Sequence, residues 1–178
     1  KVPKLIRDIL IKPNSNKSLG SVLDLGCGTG LLGLEIEGLC RYLEGIDLSN
    51  KMLCFASQKN IYDKLTKIDI LDYLSGSSMN FDYFIAADVF VYIGDLYEIF
   101  HLIKSRSNEP GKLVFSTEHT DLDGYHILKS ARYSHSKSYI ECLCKEFGYN
   151  ISHFSTNDLR KDNGQFLTGG VYVLSFML

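Results

Sequence analysis

Val22-Leu23-Asp24-Leu25-Gly26-Cys27-Gly28-Thr29-Gly30-Leu31-Leu32-Gly33 is the stretch that decides how the chain is read. Val22 to Leu25 is a short apolar run of the kind that forms a buried strand, broken by one acid, Asp24. Glycines at alternate positions, Gly26, Gly28 and Gly30, then form a tight turn. Without a Cβ, such a turn adopts positive φ freely and lets a ligand approach the backbone. A helix is expected to follow, with Leu31, Leu34, Ile36 and Leu39 as its apolar members. The pattern is strand, glycine turn, helix.

The same alternation continues outward. Tyr42 to Ile46 reads as a second strand closed by Asp47, and Ser49 caps a helix carrying Met52, Phe55 and Ala56. Leu65 to Ile68 is a short third strand, followed by Asp69. Phe81 to Ala87 is an almost continuous apolar run, which a strand covered on both faces requires. Asp95 to Ser105 is helical, Pro110-Gly111 turns the chain, and Lys112 to Ser116 is a fifth strand. Strands alternating with helices predict an α/β fold, with a parallel sheet and right-handed crossovers. Beyond Ser116 the pattern changes: Thr117 to Ser136 is polar and aromatic, Ser138 to Phe147 is helical, and Asn150–Phe154 and Gly170–Met177 are β-rich.

Size and composition set bounds. The 178 residues suffice for one full core, so residues 1–178 are read as a single domain, with 1–18 leading into it. Since the sequence opens on Lys1, it is expected to be a fragment whose own N-terminus lies upstream. Apolar residues make up 45% and charged residues 22%, which places the chain among globular proteins. A net charge of −2 with scattered Lys and Arg supplies no field for a nucleic-acid backbone. No apolar run reaches bilayer length, so no membrane partner is expected. Cys27, Cys40, Cys54, Cys142 and Cys144 contain no C-x-x-C pair and read as reduced thiols of a cytoplasmic protein. Asp121-x-Asp123 lacks the rest of a calcium loop, and no metal is expected.

The ligand class follows from charge. Gly28-x-Gly30-x-x-Gly33, with Asp47 further on, also fits a dinucleotide fingerprint. Asp47 ends a strand where a carboxylate can accept both hydroxyls of a ribose. Asp24, however, stands beside the loop where a dinucleotide would place its pyrophosphate, and like charges oppose. An acid there suits a ligand with an ammonium and a sulfonium, namely S-adenosylmethionine. An NAD-dependent oxidoreductase and a catalytically silent S-adenosylmethionine-binding module stand as the alternatives.

Val22 to Gly30 resembles the first motif of class I, Rossmann-like, S-adenosylmethionine-dependent methyltransferases. Gly45-Ile46-Asp47-Leu48-Ser49 resembles their second-strand motif, Lys67-Ile68-Asp69-Ile70 the position of their acid near the adenine amino group, and Phe81 to Tyr92 their fourth-strand motif. The resemblance implies a seven-stranded, mostly parallel sheet with helices on both faces and an antiparallel last strand. It implies a cofactor held by Asp24, Gly26, Cys27, Gly28, Gly30, Asp47, Leu48, Met52, Asp69, Ile70, Ala86 and Ala87, with Met52 against the adenosine. Ala87 to Leu96, Arg132 to Ser136 and Val2 to Leu5 are similar to a narrower bacterial group, the TPR-repeat-associated predicted methyltransferases.

The expected acceptor is a small molecule, methylated by direct displacement. Residues 120–136 are expected to form a mobile acceptor-side flap, since they lack the apolar period of a core element. Arg132, Tyr133 and His135 bring a cation, a phenol and an imidazole together. Such a set suits an acceptor pocket, with His135 as general base. The competing reading has these side chains packing the loop ahead of the helix at Ser138.

Overall fold

Five parallel strands in the order 3-2-1-4-5 form the centre of the computed structural model, which describes residues 1–11, 18–76, 78–162 and 165–176. They are β1 (Gly20–Leu25), β2 (Cys40–Asp47), β3 (Lys64–Lys67), β4 (Phe81–Ala86) and β5 (Ser107–Thr120). The chain runs outward from β1 to β3 and then returns to place β4 against the other side of β1. That reversal opens a crevice beyond the carboxyl ends of β1 and β4, where ligands bind in sheets of this type.

Helices α1 (Val2–Ile11), α2 (Leu31–Ile36), α3 (Asn50–Ser57), α4 (Ile70–Gly76), α5 (Tyr97–Ser105) and α6 (Lys137–Phe147) complete the layers. One apolar cluster packs Leu23, Leu25, Phe84 and Phe115 against α4, α5 and α6. The other packs Val22, Leu43, Ile85 and Val114 against α1 and α2. Alternate residues of β1 thus feed opposite faces, and Asp24 shares a face with Val22. Each fully buried Val, Leu or Phe stabilises the fold by roughly 1.5–3 kcal/mol.

α1 and α4 were absent from the sequence reading. α1 buries Val2, Ile6 and Leu10, one face at a spacing of four. α4 is anchored by Asp69, whose Oδ1 accepts from Leu71 N at 2.8 Å.

Among the described residues the sheet has nine strands where seven were expected. The class is unchanged: mostly parallel strands, with an antiparallel β9 (Gln165–Phe176) along β5. β8 (Tyr149–Asp162) pairs antiparallel with β9, and both run longer than their apolar patches indicated. Met177, expected in the last strand, lies outside the described residues. The added pair is β6 (Tyr125–Ile127) and β7 (Tyr133–Ser136), inside the stretch read as a flap. β7 runs parallel to β5 over Glu118–Thr120, on the edge that β4 leaves open after Ala86. Within the stretch expected as a flap the chain therefore forms a short hairpin. Its apolar period is missing because its contacts are backbone ladders and rings such as Tyr125 on Tyr139.

Candidate functional site

A cavity of about 840 Å³ lies at the crevice. Its floor is the glycine turn. Cys27 N donates to Ile46 O, and Gly30 N closes the turn on Cys27 O, both at 2.9 Å. Gly26, Gly28 and Gly30 have φ of 64°, 55° and 80°, a region costly for residues with a Cβ. A Cβ on Gly26 would stand 2.7 Å from Val89 Cγ2, so this glycine lets the loops after β1 and β4 close on each other. A Cβ on Gly28 would meet nothing within 4 Å, because that position opens onto the cavity.

Two carboxylates flank the turn. Asp24 is 1% exposed, and its Oδ2 accepts from the Tyr62 hydroxyl at 2.7 Å. Burial raises its pKa to about 7; the Tyr62 hydrogen bond works against that rise, and the Asp47 charge adds to it. Asp47 accepts from Gly28 N at 2.9 Å through Oδ2 and from Ser49 N at 2.8 Å through Oδ1. It thereby ties the end of β2 to the glycine turn. Burial also pushes the Cys27 thiol far above its usual range, so it stays neutral.

The residues expected from sequence converge here, Gly30 and Ala86 excepted. Leu48 (65% exposed) and Met52 (38%) form an apolar lip, and Asp69 and Ile70, at the start of α4, line the same cavity. Gly30 and Ala86 lie behind the wall. Gly30 precedes α2, and Ala86 is fully buried at the end of β4. Ala87 and Asp88 line the far side. Asp88 holds a left-handed backbone, φ 58°, with its N–H donating to Ser116 Oγ at 2.9 Å.

On the acceptor side the expectation needs correction. His135 is fully buried and does not line the cavity; its Nε2 lies 2.9 Å from Gly94 O. Tyr125 and Tyr139 pack against its ring, and burial lowers its pKa. A ring so enclosed fixes the hairpin against the 93–95 turn and stands apart from the cavity. Tyr133 packs on Gly94, also behind the wall. Arg132 is placed differently. Its Nη2 donates to the Tyr92 hydroxyl at 2.9 Å, its guanidinium lies 5.0 Å from that ring, and its Nη1 is 3.7 Å from Glu118 Oε1. Tyr92 lines the cavity, so Arg132 acts on its rim through Tyr92.

Tyr62 was missed. A lone aromatic within Gln58-Lys59-Asn60-Ile61-Tyr62-Asp63 gives no periodic signal. Lys1 and Pro3 were also missed as cavity residues, because only the docking of α1 brings them there.

Residues 16–165 match a family described as a methyltransferase domain. The chain belongs to that family. The methyltransferase domain is 46% identical over 52 residues to an uncharacterized methyltransferase of Schizosaccharomyces pombe. That match takes in 29% of this chain and spans only 20% of the relative's length. The fold is similar to that of an S-adenosylmethionine-dependent methyltransferase from Clostridium acetobutylicum: TM-score 0.76, 19% identity, 99% of this chain and 92% of that one. It is also similar to magnesium protoporphyrin IX methyltransferase from Synechocystis, solved with bound S-adenosylmethionine: TM-score 0.74, 18% identity, 99% and 78% coverage. At these identities the likeness is one of fold.

Proposed function

We propose that the methyltransferase domain binds S-adenosylmethionine across the carboxyl ends of β1, β2 and β4 and transfers its methyl group to a small-molecule acceptor. One observation carries the reading: Asp24 and Asp47 line one cavity together with a glycine turn whose central residue, Gly28, opens onto it. That arrangement repels a pyrophosphate and fits a ligand with an ammonium at one end and ribose hydroxyls in the middle.

When bound, the cofactor supplies a methyl group on an electron-poor sulfur, open to in-line attack by an acceptor lone pair. Asp24, ionised, takes the ammonium. Asp47 takes the ribose hydroxyls while continuing to tether Gly28 and Ser49. Met52, Leu48 and Ile70 cover the adenine, and the Asp69 oxygen not engaged by Leu71 receives its amino group. The Ala87–Asp88 backbone borders the methionine end. The acceptor enters beside Tyr92, which Arg132 and Glu118 brace from behind. With His135 enclosed, rate comes from holding the acceptor in line rather than from proton removal by that imidazole.

The reading also takes in the narrower bacterial group of TPR-repeat-associated predicted methyltransferases, supported by the Ala87–Leu96 and Arg132–Ser136 sequences. Cytoplasmic residence belongs to the same proposal, supported by five cysteines that stand as free thiols. No helix among the described residues is long and apolar enough to cross a membrane. Crystals soaked with S-adenosylhomocysteine test the placement. Density with adenine between Met52 and Ile70 and an amino group on Asp24 is expected, and density elsewhere on the surface contradicts it.

A further inference from the structure

We propose that Tyr62 is a positioning residue for cofactor binding: its hydroxyl holds the Asp24 carboxylate in the orientation and charge state that receive the cofactor's ammonium. The inference rests on the function proposed above and adds a residue that the family motifs do not contain.

Three glycines make room for the Tyr62 ring. A Cβ on Gly30 would stand 3.0 Å from its Cε2, on Gly33 2.5 Å from its hydroxyl oxygen, and on Gly45 2.9 Å from its Cε1. These glycines come from the glycine turn, α2 and β2, so the ring sits where three elements meet. The next residue is latched in both directions: Asp63 N donates to Leu43 O at 2.8 Å, and Leu43 N donates to Asp63 Oδ2 at 2.7 Å. From this fixed seat the hydroxyl reaches Asp24 at 2.7 Å. Gly33, which completes the dinucleotide-like fingerprint in the sequence, thus has a different purpose here. It clears space for a tyrosine.

A buried carboxylate left to itself takes up a proton and loses its attraction for a cation. Asp24 is pushed that way by burial and by Asp47 from β2, and Tyr62 opposes both. Cys27 in the turn and Cys40 at the start of β2 also lie in its field, and burial keeps both thiols neutral, with Cys40 pushed up to about 12. Lys1 and Asp88 share the cavity wall. The Tyr62 hydroxyl is itself held far above its usual range by burial and by Asp24, so it remains a donor throughout. Losing that donor raises the proton affinity of Asp24, and a given pH then leaves less of it ionised.

The test is calorimetric titration of S-adenosylhomocysteine from pH 6 to 8.5 into the full chain and its Tyr62→Phe variant, which keeps the ring in its seat. The wild-type affinity is expected to weaken below about pH 7. In Tyr62→Phe the bend moves to higher pH, and affinity at pH 7 falls roughly three- to tenfold, the effect of one hydrogen bond. The two proteins converge toward pH 8.5. Equal affinities and superimposable profiles would overturn the proposal. If Tyr62→Phe does not fold, the wild-type hydroxyl proton decides by NMR. A slowly exchanging tyrosine hydroxyl resonance that titrates near pH 7 and moves on ligand addition is expected, and its absence across the range overturns the proposal. A wild-type protein that binds no S-adenosylhomocysteine at any pH refutes the proposed function itself, whatever that resonance shows.

Discussion

Asp47 Oδ2 accepts a hydrogen bond from Gly28 N at 2.9 Å, so the carboxylate proposed to receive a ribose also fixes the turn beneath it. Its other oxygen holds Ser49 N at 2.8 Å, which sets the start of α3 and the position of Met52. One side chain therefore orients both the floor of the cavity and its lip.

Replacing it should be costly for binding. Asp47→Ala removes charge-assisted hydrogen bonds, each worth about 1.5–3 kcal/mol. Even partial compensation by water leaves about a tenfold or greater loss in S-adenosylhomocysteine affinity by calorimetry. An unchanged dissociation constant in a folded variant would take Asp47 out of the site.

Gly26 and Gly28 should respond differently to alanine. Both pay about 1–2 kcal/mol for a Cβ at positive φ. Gly28→Ala projects its methyl into open cavity, so it should fold with a modest fall in melting temperature but bind S-adenosylhomocysteine at least about tenfold more weakly. Gly26→Ala drives its methyl to within 2.7 Å of Val89 and should lose far more stability. Equal melting temperatures for the two variants would contradict this division of roles.

Asp24 should cost the free protein stability at neutral pH. Its carboxyl titrates at the ordinary 3.8 when unfolded and near 7 when folded. Between those values the folded state holds the additional proton, so stability falls as pH rises through that window, and the loss is complete above pH 7. Asp24→Asn removes the penalty. At about pH 8 it should be more stable than wild type by up to about 4 kcal/mol, with the difference vanishing toward pH 4. Denaturant melts at several pH values measure this. A variant less stable than wild type at pH 8 would show that Asp24 is held as a stabilising anion.

The half of the molecule that makes the site was readable because its physics is local. Apolar runs closed by Gly26, Asp47 and Asp69 marked three strand ends, and alternate glycines marked the turn. What escaped depends on partners distant in sequence. α1 gains its meaning from docking on α2, and Tyr62 from a gap left by three glycines on three elements. β7 is held by a ladder to β5, β6 by a ladder to β7, and the hairpin by edge-to-face tyrosines, none of which leaves a period. His135 shows the danger most clearly. Among Arg, Tyr and His neighbours it reads as a catalytic base, yet the turn at Gly94 encloses it.

His135 and Arg132 can be told apart experimentally. His135→Ala leaves Gly94 O unpaired and a void among rings, which costs about 1–3 kcal/mol for the oxygen alone. That should lower the melting temperature by about 4–10 °C with S-adenosylhomocysteine affinity nearly unchanged. Arg132→Ala should leave both within small margins and change only turnover of an acceptor that passes Tyr92. A selective loss of turnover in a fully stable His135→Ala protein would restore that histidine to the acceptor side.

Calorimetry of the wild-type chain with S-adenosylhomocysteine and with NAD, at pH 8 where Asp24 is ionised, tests the central claim most directly. One-to-one binding of S-adenosylhomocysteine is expected, with a dissociation constant in the roughly 1 μM to 1 mM range common for enzyme ligands. NAD should bind at least about tenfold more weakly, because its pyrophosphate would face Asp24. Binding of NAD without binding of S-adenosylhomocysteine would contradict the claim.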